Sequence, residues 1–417
     1  MIRKIMNKVG LPLLVISLIA GVGVLTVGCG NSKVNKKVEI TFWEEDDPGN
    51  VDKVWDEIIK DFESKNENIK VARSHMTIES LRQNYQNAVI GGGGPSIVAG
   101  PDDNIGIFGV AKTAADLDKV FSKDFLEKID TKLLDGARLN GTLYGIPYIT
   151  GNTVALLYNK DIVKEAPKTM SELVDKAKAF SDGKDKFGLV FDMTAPYNYI
   201  GFLGAFGGSV FDKDNNITLN TSEMKETVEY LYALKSEHKI MPSECAYDQA
   251  SNLFKTGNAA FIINGPWAFE EYKNAGINLG ITCIPKVDNK DYPTPYVASK
   301  VLMLNKHLTG EKLDAARKFV EFVCDKENQL KFVPVLNELP TNIEAIKDLE
   351  NSSNAELMQL KVQIDKCVPM PIITKMRAVW DGMTPTFQKV WSGKISSVAA
   401  IKEMQKTAED KARALGE

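Results

Sequence analysis

Acidic and aromatic residues gather where predicted strands of this 417-residue chain end. A strand at Val38–Trp43 runs into four acids at 44–47, Asp102-Asp103-Asn104 follows the third strand, and Trp267 comes soon after a strand at Ala259–Ile263. In open α/β sheets a ligand lies beyond the carboxyl ends of the strands. A sugar presents a flat C–H face and a ring of hydroxyls, which aromatic rings, carboxylates and amides match. The residue types therefore predict a sugar-binding site.

Each of these features also has a plainer interpretation. Trp43 could belong to the core, the acidic run could be a solvated turn, and Trp267 could cap a helix. Their shared position at strand ends favours the binding site. Two further alternatives are a surface glycosidase and an adhesin for polymeric glycan, although no motif singles out a carboxylate pair at the fixed separation that glycosidases need.

Metal and phosphate chemistry is not expected. His75, His238 and His307 are isolated, and no lysine with serine or threonine follows the glycine run 91–94, as a phosphate-binding loop requires. The segment 212–216 resembles a calcium loop, but Ile217 occupies the position that needs glycine. The sequence predicts no metal, no cofactor and no catalytic residue.

Four widely spaced cysteines contain no CxxC pair: Cys245, Cys283, Cys324 and Cys367. Metal binding is therefore not expected of them. Disulfides and buried free thiols both remain open.

Alternating strands and helices predict an α/β fold. A strand at Val38–Trp43, a helix with Val51 to Phe62 on one face and a strand at Ile69–Ala72 form a βαβ unit, which implies a parallel sheet. A long extended crossing at 142–159 and a return strand at Tyr296–Leu304 indicate two lobes joined by a hinge that the chain crosses more than once.

We expect each lobe to contain a mainly parallel sheet flanked by helices. The predicted first lobe comprises 38–150 and about 300–355, and the second comprises 151–299 and about 356–417.

The N-terminal segment has the pattern of an export signal. Arg3, Lys4 and Lys8 precede a stretch without charges, and Thr26–Cys29 resembles the lipobox of bacterial lipoproteins, with Leu25 one place earlier than usual. This predicts a signal peptide at 1–28, acylation of Cys29 and a tether at 29–37. The protein would then be anchored by lipid on the extracellular face of the cell membrane. A transmembrane anchor is the alternative.

The charge balance argues against nucleic acid as a partner. The formal net charge is −4, and removing residues 1–28 would remove three positive charges. Nucleic-acid binding needs a basic surface.

Four longer segments resemble one protein family. "GTLYGIPYITGNTVALLYNKDIV", "PKTMSELVDKAKAF", "FKTGNAAFIINGPWAF" and "MRAVWDGMTPTFQKVWSGKISSVAAIKEMQ" stand in the order and spacing of the family 1 extracellular solute-binding proteins, in the branch that includes the maltodextrin-binding proteins. The resemblance implies a periplasmic-binding-protein-like fold, no enzymatic activity, a monomer, and an ABC permease with its ATPase as partner. The expected ligand is an oligosaccharide, with maltose or maltodextrin favoured.

The resemblance also implies which residues bind the sugar. Aromatic contacts would come from Tyr197, Trp267 and Trp380, and hydrogen bonds from Glu45, Asp47 and Asp103. Trp43 and Asn152 complete the predicted set. The chain departs from the maltodextrin pattern at Pro48, Gly100, Asn104, Asn152, Ala195 and Asp381. These departures remove charged and stacking contacts, so the pattern does not fix which sugar is bound.

Overall fold

The computed structural model describes residues 37–45, 49–351 and 355–414. The proposed signal peptide, Cys29 and Asp47 therefore lie outside the described residues.

The strands of the described part of the chain form two main sheets and a short hairpin. They are β1 (Val38–Glu44), β2 (Ile69–His75), β3 (Ile97–Pro101), β4 (Arg138–Leu139), β5 (Thr142–Leu143), β6 (Ile146–Asn152), β7 (Ala155–Asn159), β8 (Phe187–Val190), β9 (Ala259–Asn264), β10 (Leu279–Thr282), β11 (Tyr296–Leu304), β12 (Leu339–Pro340) and β13 (Val368–Pro369).

The helices surround these sheets. They are α1 (Asn50–Lys65), α2 (Ile78–Ile90), α3 (Asn104–Val110), α4 (Lys123–Leu126), α5 (Thr131–Gly136), α6 (Met170–Phe180), α7 (Phe202–Ala205), α8 (Ser222–Ser236), α9 (Tyr247–Lys255), α10 (Phe269–Asn274), α11 (Gly310–Val323), α12 (Lys326–Leu336), α13 (Ile343–Glu350), α14 (Ala355–Ile364), α15 (Lys375–Trp391) and α16 (Ser397–Ala414).

The first lobe is built on the larger sheet, whose strand order is β12-β6-β11-β3-β1-β2, with β13 beside the start of β11. Residues Ile40 and Phe42 alternate with less buried neighbours along β1 and are fully buried against the helices. The Phe42 ring packs edge-on against Trp55 of α1 at 4.8 Å between centroids. The βαβ unit predicted at 38–72 is present, since β1 pairs in parallel with β2.

The second lobe is built on a four-stranded sheet of order β10-β7-β9-β8. Its core continues into the C-terminal helices, where Tyr199 packs edge-on against Phe387 at 4.9 Å and Trp391 at 5.5 Å. Thr169 caps α6 by accepting a hydrogen bond from the Glu172 amide at 3.2 Å.

The prediction of mainly parallel sheets is wrong. Strand β11 runs antiparallel to β3 and β6, and β7 runs antiparallel to β9 and β10. The physical reason is the route of the chain. Both β7 and β11 begin at the junction of the lobes and run away from it, whereas β1, β3, β6 and β9 run towards it. A strand that arrives directly from the other lobe therefore opposes the strands that it joins.

The junction brings several strand ends together. The start of β11 lies beside the end of β6, because Ala298 pairs with Asn152, and the start of β7 lies beside the end of β9, because Ala155 pairs with Asn264. The chain passes from the first sheet to the second between β6 and β7, returns before β11, and reaches the second lobe again after β12. The carboxyl ends of β1, β3, β6 and β9 thus face one shared region.

The described residues show the state of the four cysteines, which the sequence left open, and the structure of the calcium-like segment. Cys245, Cys283, Cys324 and Cys367 are all free thiols. The calcium-like segment is a polar turn, in which the Asp212 carboxylate accepts hydrogen bonds from the Asp214 and Asn216 amides at 2.9 Å. Among the described helices, none combines the length and apolarity required to cross a bilayer.

Candidate ligand-binding site

Trp267 presents an exposed indole at the junction of the lobes. It lies in a short 3₁₀ turn, Pro266–Ala268, directly after β9, and 46% of its surface is exposed. A Cβ atom placed on Gly265 would lie 2.1 Å from the indole Cζ3 and 2.5 Å from the Thr153 carbonyl oxygen. Only glycine therefore permits this close approach between the ring and the strand crossing.

Tyr197 lies beside the same crossing. Its hydroxyl donates a hydrogen bond to the backbone oxygen of Asn152 at 2.8 Å, with the Asn152 side-chain oxygen at 3.5 Å. Burial raises the pKa of the Tyr197 phenol, and the nearby Cys367 and Asp102 act in the same direction. The phenol consequently stays neutral, and its ring is held in place at the end of β6.

Trp380 of α15 faces the first lobe across a cavity of about 360 Å³. The first lobe contributes Arg82, Asp103, Gly106 and Ile107 to its walls, and the other lining residues are 370–374, Met376, Arg377 and Trp380. The Tyr296 ring, at the start of β11, lies 6.2 Å from the Trp380 ring in an edge-on arrangement. One predicted aromatic ring and one predicted carboxylate therefore line the same cavity.

Glu45 follows β1 and lies near the end of β3. Its carboxylate is 3.6 Å from the Lys300 ammonium, and its Cγ would contact a Cβ on Gly100 at 3.5 Å. Trp43, by contrast, is half-buried and packs against the hydrophobic core of the first lobe. Tyr197 and Trp380 are half-buried against the core of the second lobe in the same way, so the role of Trp43 in ligand binding stays a prediction.

Asp102 is a buried carboxyl that sequence reasoning did not select. Its Oδ2 accepts a hydrogen bond from the Ser299 amide at 2.8 Å, while its buried Oδ1 has no hydrogen-bond partner among the described residues. Burial raises the pKa of Asp102 to about 7; the Ser299 amide opposes this shift and the Asp103 carboxylate adds to it. The available signal was its place in the acidic pair after β3, but the sequence did not show which of the two acids points inwards.

Arg82 is the second residue that sequence reasoning missed. It flanks the buried stripe formed by Leu81 and Tyr85 on α2, and its guanidinium reaches both carboxylate oxygens of Asp103, at 2.6 and 2.7 Å. No local pattern links residues so far apart in sequence. Within the described ranges, no group of three or more His, Cys, Asp or Glu side chains could hold a metal ion.

A family model for bacterial extracellular solute-binding proteins matches residues 57–359, which is well over half of the chain. The chain belongs to this family. As a solute-binding protein it binds a ligand outside the cell and is not an enzyme, as the sequence predicted.

The relatives of this solute-binding protein include proteins named for the binding of two kinds of sugar. A maltodextrin-binding protein of Bacillus subtilis is 30% identical over 318 residues, covering 73% of this chain and 75% of its own. A galactooligosaccharide-binding protein of the same organism is 27% identical over 426 residues, covering 96% and 97%. The sequence resemblance to this family is therefore confirmed.

Solved structures show the same two-lobed α/β fold. A maltose/maltodextrin-binding domain from Bdellovibrio bacteriovorus, bound to maltotriose, matches with a TM-score of 0.72 and 32% identity over 90% of this chain and all of that one. A cyclo/maltodextrin-binding protein complexed with maltotetraose matches with a TM-score of 0.84 and 25% identity over 91% and 98%. The predicted fold class is confirmed, and neither the glycosidase nor the adhesin alternative is supported by these comparisons.

Proposed function

We propose that this solute-binding protein captures a malto-oligosaccharide outside the cell and delivers it to an ABC permease with its ATPase. The observation that carries this proposal is the exposed Trp267 indole, which lies against Gly265 and the Thr153 crossing at the junction of the lobes. Trp55 and Trp391, by comparison, are buried in the two cores. A large aromatic surface left open beside convergent polar groups suits the apolar face of a sugar ring.

The neighbouring groups suit the hydroxyls of such a ligand. Glu45 and Asp103 offer carboxylate acceptors from the first lobe, and Asn152 offers an exposed amide at the end of β6. Tyr197 and Trp380 add aromatic surface from the second lobe and its C-terminal helices. We infer that the two lobes close on the sugar and that the protein acts as a monomer. The proposed first lobe comprises 38–150 and about 300–355, and the proposed second lobe comprises 151–299 and about 356–417. Asp47 belongs to the proposed site on the sequence pattern alone.

Malto-oligosaccharides are favoured by the names of several relatives and by the sugars in the matched structures. The galactooligosaccharide-binding relative covers more of the chain, so a galactose-containing oligosaccharide is the second candidate.

Tryptophan fluorescence can distinguish the two sugars. We expect maltotriose and maltotetraose to change the emission saturably at micromolar concentrations, because Trp267 and Trp380 would be covered on binding, and galactooligosaccharides to require far higher concentrations. A preference in the opposite direction would replace malto-oligosaccharide by galactooligosaccharide as the ligand. No response to either series, together with no stabilisation against heat, would contradict an oligosaccharide-binding function.

We also propose that Cys29 carries the lipid anchor. Acylation needs the cysteine thiol, and a maltooligosaccharide-binding relative from Streptococcus pneumoniae is named a lipoprotein. Cys29→Ser should therefore release the protein from the membrane fraction without changing its affinity for sugar. A membrane-bound Cys29→Ser protein that retains residues 1–28 would indicate a transmembrane anchor instead.

A further inference from the structure

Arg82 and Asp103 form a short-range ion pair on the wall of the cavity that faces Trp380. One terminal nitrogen of Arg82 donates to both carboxylate oxygens of Asp103, at 2.6 and 2.7 Å. The side chain of Arg82 is 18% exposed and that of Asp103 is 37% exposed. The pair is thus partly shielded from water before any ligand enters.

Asn104 fixes the other edge of the guanidinium. The Arg82 Nε donates to the side-chain oxygen of Asn104 at 2.6 Å, and Asn104 is almost completely buried. A Cβ on Gly100 would lie only 2.7 Å from the Asn104 side-chain nitrogen, so the amide packs tightly over that glycine. These contacts hold the Arg82 side chain of α2 against the start of α3, with its guanidinium beside the Asp103 carboxylate.

Ligand binding would reduce the exposure of the Asp103 carboxylate to water. A sugar in the cavity, covered by Trp380 from the other lobe, would exclude water from the carboxylate. Sugar hydroxyls are neutral donors and cannot neutralise the charge, and a desolvated carboxylate without a cationic partner is strongly unfavourable. Arg82 supplies that partner and also prevents Asp103 from rotating away.

We propose that Arg82 is a positioning residue of the sugar site, which holds and neutralises the Asp103 carboxylate so that the lobes can close over it. This inference rests on the proposed oligosaccharide-binding function. Asp103 accepts the sugar hydroxyl with its remaining lone pairs, while Arg82 acts on the sugar through Asp103.

The test is a double-mutant cycle on maltotriose affinity with Arg82→Met, Asp103→Asn and the double variant. We expect Arg82→Met to weaken binding about tenfold to a hundredfold, because closure then buries the Asp103 carboxylate without the Arg82 guanidinium. The double variant lacks both charges of the pair, so it should bind at least as well as Arg82→Met alone. Arg82→Lys, which keeps the charge, should recover part of the loss.

Arg317→Met is the matched control. Arg317 pairs with Glu321 at 2.7 Å on α11, and both side chains are partly exposed. Arg317 does not line the cavity that contains Asp103, so its loss should not alter sugar affinity. Normal affinity of Arg82→Met, or strictly additive losses in the cycle, would overturn the positioning role while leaving sugar binding by the parent protein intact. Absence of binding by the parent protein to maltotriose and to the galactooligosaccharides would instead reject the proposed function, and this inference with it.

Discussion

Trp267→Ala should weaken sugar binding by about thirty- to a thousandfold while leaving the fold of the ligand-free protein almost unchanged. An aromatic contact contributes on the order of 1 kcal/mol beyond its buried area. The area adds about 25 cal/mol per Å², which brings the expected loss to roughly 2 to 4 kcal/mol of binding free energy. Nearly half of the Trp267 surface is already exposed, so truncation removes little core packing.

Trp55→Ala is the matched control for this prediction. Trp55 is fully buried and packs at 4.8 Å against both Phe42 and Phe332. Its truncation should cost about 3 to 5 kcal/mol of folding free energy and lower the melting temperature, while the molecules that remain folded bind sugar normally. The two variants should therefore separate affinity from stability. A large fall in the melting temperature of ligand-free Trp267→Ala with near-normal affinity would show that Trp267 is a structural residue.

Asp102→Asn should stabilise the ligand-free protein at pH 8 but hardly change its stability near pH 4. Burial raises the pKa of Asp102 from 3.8 to about 7, so the folded protein retains a proton that the unfolded chain releases. The stability contributed by protonated Asp102 is complete below pH 3.8 and is lost as the pH rises through 7. Because one pKa unit corresponds to about 1.4 kcal/mol, the difference between the variant and the parent should grow by about 3 kcal/mol from pH 5 to pH 8.

The measurement is the melting temperature or urea midpoint of both proteins across this pH range. A difference between Asp102→Asn and the parent that stays constant with pH would show that the pKa of Asp102 is not raised in the folded protein.

The elements of the fold followed from short-range patterns. Burial of Ile40 and Phe42 on one face of β1, and the helical spacing of Val51 to Phe62, are readable over a few residues. The return strand at Tyr296–Leu304 was placed correctly for the same reason. Strand direction was predicted less well, because the antiparallel pairing of β11 with β3 joins segments about two hundred positions apart.

Some residues of the candidate site could likewise be predicted from the sequence, and others could not. Trp267 was identifiable because it follows a strand end, and strand ends converge in this fold. The roles of Arg82 and Asp102 could not be predicted, because they depend on contacts with distant segments of the chain. Asp102, for example, accepts a hydrogen bond from the Ser299 amide. Local sequence shows that a residue ends a strand, but it does not show what the fold places opposite it.

The most direct test of malto-oligosaccharide binding is calorimetric titration of the purified protein with maltotriose, using cellotriose as the control. The two sugars have the same composition and differ in the linkage between their glucose units, so a difference in affinity reports on the shape of the site. We predict saturable binding of maltotriose at one site per molecule, with a dissociation constant in the micromolar range or below, and at least hundredfold weaker binding of cellotriose. Equal affinity for both sugars, or heat from cellotriose alone, would contradict the proposed specificity.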